Sequence, residues 1–232
     1  NQRITHLIVN SEAVKKEYAS AFGIPKERIY VLGLPRTDLL LNPSFLEEKR
    51  EAFLRGYESL RGKRRILYAP TFRDDEVENP RIHLDLSRMS EALGKDEVLL
   101  IRLHPFVADR VGMVLDEGKW DNIINVSGYP GVTTLLAAAD VLVTDYSSIV
   151  FEYCLRGKPM IFYAYDLERF ESEGRSFYRN YEKFVSGPVA RTEDELIECL
   201  KKNDISRVGR FVEQNFPFLD GKSTSRLLEL IF

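Results

Sequence analysis

Cysteine is scarce in this chain of 232 residues. Cys154 and Cys199 are the only two. They lie far apart in stretches that read as helical, so neither a disulfide framework nor a thiolate zinc site is on offer, and a reducing cytoplasm suits the sequence. Long apolar runs are missing as well, since none approaches the eighteen or so residues a membrane-spanning helix needs. Neither sign of charge dominates: 33 Lys and Arg against 36 Asp and Glu leave a formal charge of −3. That balance argues against a protein that coats nucleic acid through bulk positive charge, and no nucleic-acid partner is expected. The glycines form neither GxGxxG nor a Walker loop, which sets aside a dinucleotide cofactor and P-loop hydrolysis. The first residues, Asn1 to His6, carry no initiator Met, no charged-then-apolar pattern and no cleavage site. The chain is therefore expected to be a piece of a longer protein.

What is present is a globular composition, 44% hydrophobic and 30% charged, on a chain long enough to bury a sizeable core. Short β-branched or apolar runs alternate with longer amphipathic stretches, which predicts βαβ units feeding a parallel sheet. The expected strands are His6–Val9, Arg28–Leu32, Ile66–Ala69, Val98–Leu103, Ile123–Val126, Val141–Thr144 and Pro159–Phe162. The expected helices include Ser11–Phe22, Ser44–Arg55, Thr133–Ala139 and Ser148–Arg156, several beginning at a Ser cap and ending at Gly. Glu193–Lys202, Ser206–Asn215 and Ser223–Phe232 carry apolar residues at helical spacing. The fold class is accordingly α/β, a doubly wound, Rossmann-like parallel sheet over 1–232, with 193–232 as a helical tail.

Ligands of such sheets bind beyond the carboxyl ends of the strands, and here those positions are polar. Gly33-Leu34-Pro35-Arg36-Thr37-Asp38 follows the second strand, Pro70-Thr71-Phe72-Arg73-Asp74-Asp75 the third, and His104-Pro105 the fourth. Ser127-Gly128 follows the fifth and Asp145-Tyr146-Ser147-Ser148 the sixth. Thr144-Asp145-Tyr146-Ser147-Ser148 joins a strand to a helix, and that turn is either an ordinary N-cap or an anion-binding helix start. Glu152 falls in the first helical turns, as an acceptor for a ribose diol or as a solvated residue. Arg102 and His104 alternate along a strand end and so share a face. His104 is placed for phosphate contact or proton transfer, against a structural role as the alternative. His6 and His83 lack such company and read as structural or surface residues. Arg36 and Arg73 offer forked donors suited to a diphosphate. For Arg73, an ion pair with the adjacent Asp74 and Asp75 is an equal alternative. That acid pair is the only hint of a metal, and it leaves a Mg2+ requirement open.

The ordered set of Gly33–Asp38, Leu67–Asp75, Arg102–Pro105, Ala139–Ser148 and Ile161–Leu167 resembles the CDP-glycerol glycerophosphotransferase family, the teichoic acid polymerases and primases. The resemblance runs from about Ser11 to Asp220-Gly221-Lys222-Ser223. It implies a two-domain GT-B fold of which this chain is the C-terminal, donor-binding half, the N-terminal acceptor domain being absent. The implied reaction is transfer of glycerol phosphate from CDP-glycerol to a lipid-linked polyol-phosphate acceptor, with release of CMP, at the cytoplasmic face of a membrane contacted through the missing half. By the same resemblance the turn Thr144, Asp145, Tyr146, Ser147 and Ser148 holds the diphosphate, with Glu152 nearby. Arg102 and the catalytic His104 face the transferred phosphoryl group. Arg36, Pro70 and Thr71 line the donor pocket, and Ser127 lies near the nucleotide; Arg73, read from its own loop, joins the expected substrate-binding residues. Leu34, Phe72 and Glu152 stand where the family often has Tyr, Trp and Asp, and a second histidine in a Trp-His-Gly setting has no counterpart here. A CDP-ribitol enzyme, a nucleotide-sugar glycosyltransferase of the same architecture and a non-catalytic nucleotide-binding domain are the competing expectations.

Overall fold

The computed structural model describes residues 4–73, 78, 81–104, 120–172 and 177–232. Among the described residues, eight parallel strands fall into two sheets. β1 (Leu7–Val9) and β2 (Ile29–Val31) pair with each other and, among the described residues, with no other strand, in register Leu7 with Ile29. The other six are β3 (Arg64–Tyr68), β4 (Glu97–Ile101), β5 (Ile123–Asn125), β6 (Val141–Thr144), β7 (Met160–Tyr163) and β8 (Val189–Ala190). They lie in the order β5-β4-β3-β6-β7-β8. The first two expected strands thus form a unit of their own, around a small core of Val9, Ile24 and Ile29.

The β-rich runs are buried on both faces, as parallel strands covered by helices must be. Because successive side chains alternate, each strand feeds two cores. Leu67, Val98, Leu100, Leu142, Met160 and Phe162 face one. Ile66, Leu99, Ile101, Val141, Val143 and Ile161 face the other. The first core is closed by α2 (Pro43–Gly56), α4 (Val132–Ala138), α5 (Val150–Tyr153) and α9 (Val208–Asn215). The second is closed by α3 (Leu86–Ala92) and α8 (Glu193–Lys202), through Leu86, Met89, Leu196 and Leu200. The remaining helices are α1 (Lys15–Phe22), α6 (Leu167–Ser172), α7 (Tyr181–Phe184) and α10 (Ser223–Ile231). Helix starts follow side-chain chemistry. Asn42 accepts from the amides of Ser44 and Phe45 ahead of α2, and Thr192 accepts from Glu195 ahead of α8.

The expected helix Ser148–Arg156 is shorter. One α-turn, α5, passes into a 3-10 turn, Cys154–Arg156, closed by Gly157 at φ +63°. Tyr153 and Arg156 reach back to the carbonyls of Ala139 and Ala137 and hold the segment against the end of α4. Pro35–Leu41, expected as a loop, is a run of 3-10 helix. Its Asp38 carboxylate accepts from the amides of Ser223 and Thr224 and from the Thr224 hydroxyl, which caps α10. Gly33, at φ +82°, precedes that run, and a side chain there would run into the Ser223 hydroxyl. Cys154 is buried, Cys199 half-buried, and neither is bridged. Among the described residues no helix is long and apolar enough to cross a membrane.

Candidate functional site

Numbered within the larger sheet alone, the strands run 3-2-1-4-5-6, so the order in which strands are added reverses between β3 and β6. Their carboxyl ends part at that point and leave a crevice. Five strand ends border it: Ala69 to Arg73 after β3, Arg102 to His104 after β4, Val126 to Tyr129 after β5, Asp145 to Ser148 after β6, and Ala164 to Asp166 after β7.

The floor of this edge is a buried ionic knot. Arg73 donates through Nε and Nη2 to the two oxygens of Asp166, at 2.8 and 2.9 Å, and through Nη2 to Asp145 at 2.9 Å. Its Nη1 donates to the Thr71 carbonyl, and its guanidinium lies 5.1 to 5.5 Å from the ring centres of Tyr146, Phe170 and Tyr165. Burial works against the Arg73 charge, but the bonds from Asp166 and the field of Asp145 outweigh it and hold the guanidinium above its ordinary value. Asp166 is likewise opposed by burial, and Arg73 and the Tyr146 hydroxyl pull it below the usual carboxylate range. Burial pushes Asp145 up, against Arg73 and the amide of Thr71. That carboxylate also accepts from the Tyr146 amide, while the Asp145 carbonyl accepts from Tyr181. Thr144 is buried and donates to the Ala69 carbonyl.

Several expected ligand contacts are therefore occupied within the protein. Thr144, Asp145, Tyr146 and Arg73 tie the β3, β6 and β7 ends together. The ion pairs of Arg73 run to Asp145 and Asp166, and the Asp74-Asp75 pair, with Pro105, lies outside the described residues. Ser127 accepts from the Leu103 amide and donates to the Ile101 carbonyl, which fastens the end of β5 to β4.

Above this floor stands a more accessible layer. His104 is half-buried and packs against Phe72, tilted by 39°, with ring centres 4.6 Å apart. Together with Pro70, Thr71, Arg73, Arg81 and His83 it lines the crevice. His83, read from sequence as structural or surface, is thus part of this edge, stacked on Tyr165 at 4.4 Å. Arg102 donates to the Tyr129 carbonyl, and burial lowers its pKa. Ser147 is half-buried and Ser148 exposed. Ser147 accepts from the Ile149 amide. Because α5 is a single turn, its dipole is small, and anion affinity at this turn rests on hydroxyls and amides in place of a long helix. Arg36, 60% exposed, meets Glu152 at 3.1 Å, so the run after β2 does reach the switch point. Asp166 is the member that sequence reasoning missed; its place just after β7 was the available signal. Among the described residues no three His, Cys, Asp or Glu side chains form a metal-sized cluster.

Strand order and switch-point edge together define a Rossmann-like α/β protein of GT-B-like architecture. The particular family follows from sequence: this chain belongs to the CDP-glycerol:poly(glycerophosphate) glycerophosphotransferases, a family of transferase enzymes whose profile matches residues 1–232. It is 35% identical to the teichoic acid poly(ribitol-phosphate) polymerase of Bacillus spizizenii, over 100% of this chain and 38% of that protein. It is 31% identical to the teichoic acid glycerol-phosphate transferase of Staphylococcus aureus, over 100% of this chain and 61% of that one. It superposes on the wall teichoic acid polymerase TagF soaked with CDPG at a TM-score of 0.82, with 32% identity, over 99% of this chain and 58% of TagF. The chain thus spans between 38% and 61% of the length of these relatives. The UDP-GlcNAc 2-epimerase of Methanocaldococcus jannaschii, at 20% identity and a TM-score of 0.56 over 97% of this chain and 62% of that one, shares the fold.

Proposed function

We propose that this chain is the donor-binding half of an enzyme that moves glycerol phosphate from CDP-glycerol to a hydroxyl of a lipid-linked, teichoic-acid-type acceptor and releases CMP. The observation that carries this reading is membership of a family named for that donor, and it is supported by the position of Arg102 and His104 just after β4 and of Ser147 and Ser148 just after β6. In the reaction an acceptor oxygen forms a bond to the glycerol-side phosphorus. The bond from that phosphorus to the CMP oxygen breaks, and CMP leaves with the electron pair. Little covalent work falls to the protein, so rate comes from positioning and charge neutralisation. Arg102 and the Ser147–Ser148 turn neutralise the phosphoryl oxygens, His104 takes the hydroxyl proton, and Glu152, released from Arg36, accepts from the ribose diol. The ionic knot of Arg73, Asp145 and Asp166 holds these loops in register. The acceptor's lipid places the work at the inner face of a membrane, contacted through the half outside this chain.

Calorimetric titration with CDP-glycerol, CDP-ribitol, CMP and UDP-glucose tests the donor. CDP-glycerol is expected to bind, more weakly after Arg102→Ala or Ser147→Ala, while binding of UDP-glucose alone would move the protein to the glycosyltransferases. A preference for CDP-ribitol is the second reading, favoured by the 35% identity to a ribitol-phosphate polymerase. In the longer enzyme, His104→Ala should cost about two to four orders of magnitude in turnover if it moves the proton. Weakened donor binding with unchanged turnover would leave His104 a binding residue. Donor binding without any transfer would make this a regulatory domain.

A further inference from the structure

Away from the donor edge, α1 stands across from the segment that leads into α7, around a second cavity of about 370 Å³. Its size is that of a small-ligand site, about 300–1,000 Å³. The walls are largely aromatic, with Tyr18 and Phe22 of α1 on one side and Phe177, Tyr181 and Phe184 on the other. One carboxylate stands among these rings. Glu17, in the first turn of α1, lines the cavity, and its Oε2 is buried without a hydrogen-bond partner. A carboxylate can only accept, and an acceptor taken out of water and left unmet costs stability. The nearest basic residues are engaged elsewhere. Lys15 pairs with Glu12 at 3.4 Å, while Arg179, also on the lining, donates to the Ala13 carbonyl at 2.7 Å and lies 5.6 Å from the centre of the Phe184 ring.

Aromatic faces and an unmet buried acceptor complement one kind of group, a cation that can donate a hydrogen bond. An anion would set a second negative charge beside Glu17, and a wholly apolar molecule would leave Oε2 without a partner. The rings already take a cation, since the Arg179 guanidinium lies over Phe184. We propose that the cavity between α1 and the segment leading into α7 binds an apolar amine, an aryl- or alkylammonium. Its N–H donates to Glu17 Oε2, and its body lies against Tyr18, Phe22 and Phe177. The site shares no lining residue with the crevice of Thr71 and His104, so the inference goes beyond the transfer reading and stands whichever donor that crevice takes.

The test is a titration of the isotope-labelled 232-residue chain, followed by its amide NMR spectrum, with three probes of similar shape. Phenethylamine carries the cation, phenethyl alcohol is neutral, and phenylacetate is an anion. The amine is expected to bind about tenfold more tightly than the alcohol, and phenylacetate more weakly than both. The amides that shift should be those of α1 and of residues 177–184. Glu17→Gln keeps the shape of the side chain and removes its charge, so it should weaken the amine about tenfold and leave the alcohol unchanged. Ala21→Trp, at an exposed position on the lining, should weaken amine and alcohol alike by filling the space. Amide signals outside the cavity, unchanged in both variants, report that they are folded. The ranking of the three probes on the parent chain decides the matter even where a variant fails to fold. Equal binding of amine and alcohol, tighter binding of phenylacetate, undiminished amine binding by folded Glu17→Gln, or shifts confined to the switch-point edge would each overturn the proposal.

Discussion

Replacing Asp166 with Asn would leave the Arg73 guanidinium buried with one carboxylate instead of two. Removing one partner of a buried pair leaves a poorly compensated charge, so Asp166→Asn should lower the unfolding free energy by about 3 kcal/mol in urea denaturation. It should also raise the KM for the donor more than it lowers kcat, because the knot orders the loops without touching the reacting atoms. Loss confined to kcat would place Asp166 in the chemistry itself. This knot marks where the sequence was opaque. Adjacent acids made Asp74 and Asp75 the obvious partners of Arg73, yet the described partners lie 72 and 93 residues along the chain. Such pairing depends on which strand ends the topology brings together. Arg102 and His104, expected to alternate on one strand, follow the end of β4 at Ile101 instead, where Arg102 meets the Tyr129 carbonyl and His104 the Phe72 ring.

Among the elements, α10 depends on a cap supplied from a distant part of the chain. Asp38→Ala should cost about 1 kcal/mol, in the range for loss of an N-cap, and should raise amide exchange in Ser223–Ile231 before that of the large sheet. Unchanged exchange there would mean that packing alone holds the helix. The strands of the larger sheet and the longer helices were readable from apolar runs, caps and terminal glycines. α3, α6, α7 and β8 were not, for they span too few residues to show a period, β8 being only Val189–Ala190. The pairing of β1 with β2 was hidden for another reason. A parallel strand's sequence records that it is buried, and says nothing about which sheet buries it.

For the molecule as a whole, acid stability follows from its carboxylates. Asp38 and Asp140, like Asp166, sit below their ordinary value: burial opposes the charge in each, and hydrogen bonds from Thr224 and Ser223 in one case, and from Lys158 and the Arg65 amide in the other, outweigh it. A carboxyl depressed on folding contributes stability that is full above its unfolded pKa, about 3.9, and is lost as pH falls through the folded value. Asp145, raised by burial, acts in the opposite sense, costing stability as pH rises past the unfolded value. With these three, and Glu198, Asp204 and Asp220 depressed as well, against Asp145 alone, thermal melts should shift downward from about pH 4 towards pH 2, and Asp166→Asn should flatten that slope. A melting temperature flat across this range would mean that the unfolded chain keeps the same pairs.

The Asp38 cap has a mechanical side. It ties the segment after β2, near the start of the chain, to the last helix, and Gly33 has room beside Ser223 only because it lacks a side chain. The two ends of the polypeptide are thereby clasped together outside the six-stranded sheet. Tension applied between Ile4 and Phe232 would load the β1–β2 pair, the bonds of Asn10 and Ser11 to the carbonyls of Asn215 and Gln214, and that clasp before the six-stranded sheet. In a force-extension trace the clasp should appear as an early, low-force release, and shortening the protein from its C-terminal end would loosen its N-terminal part.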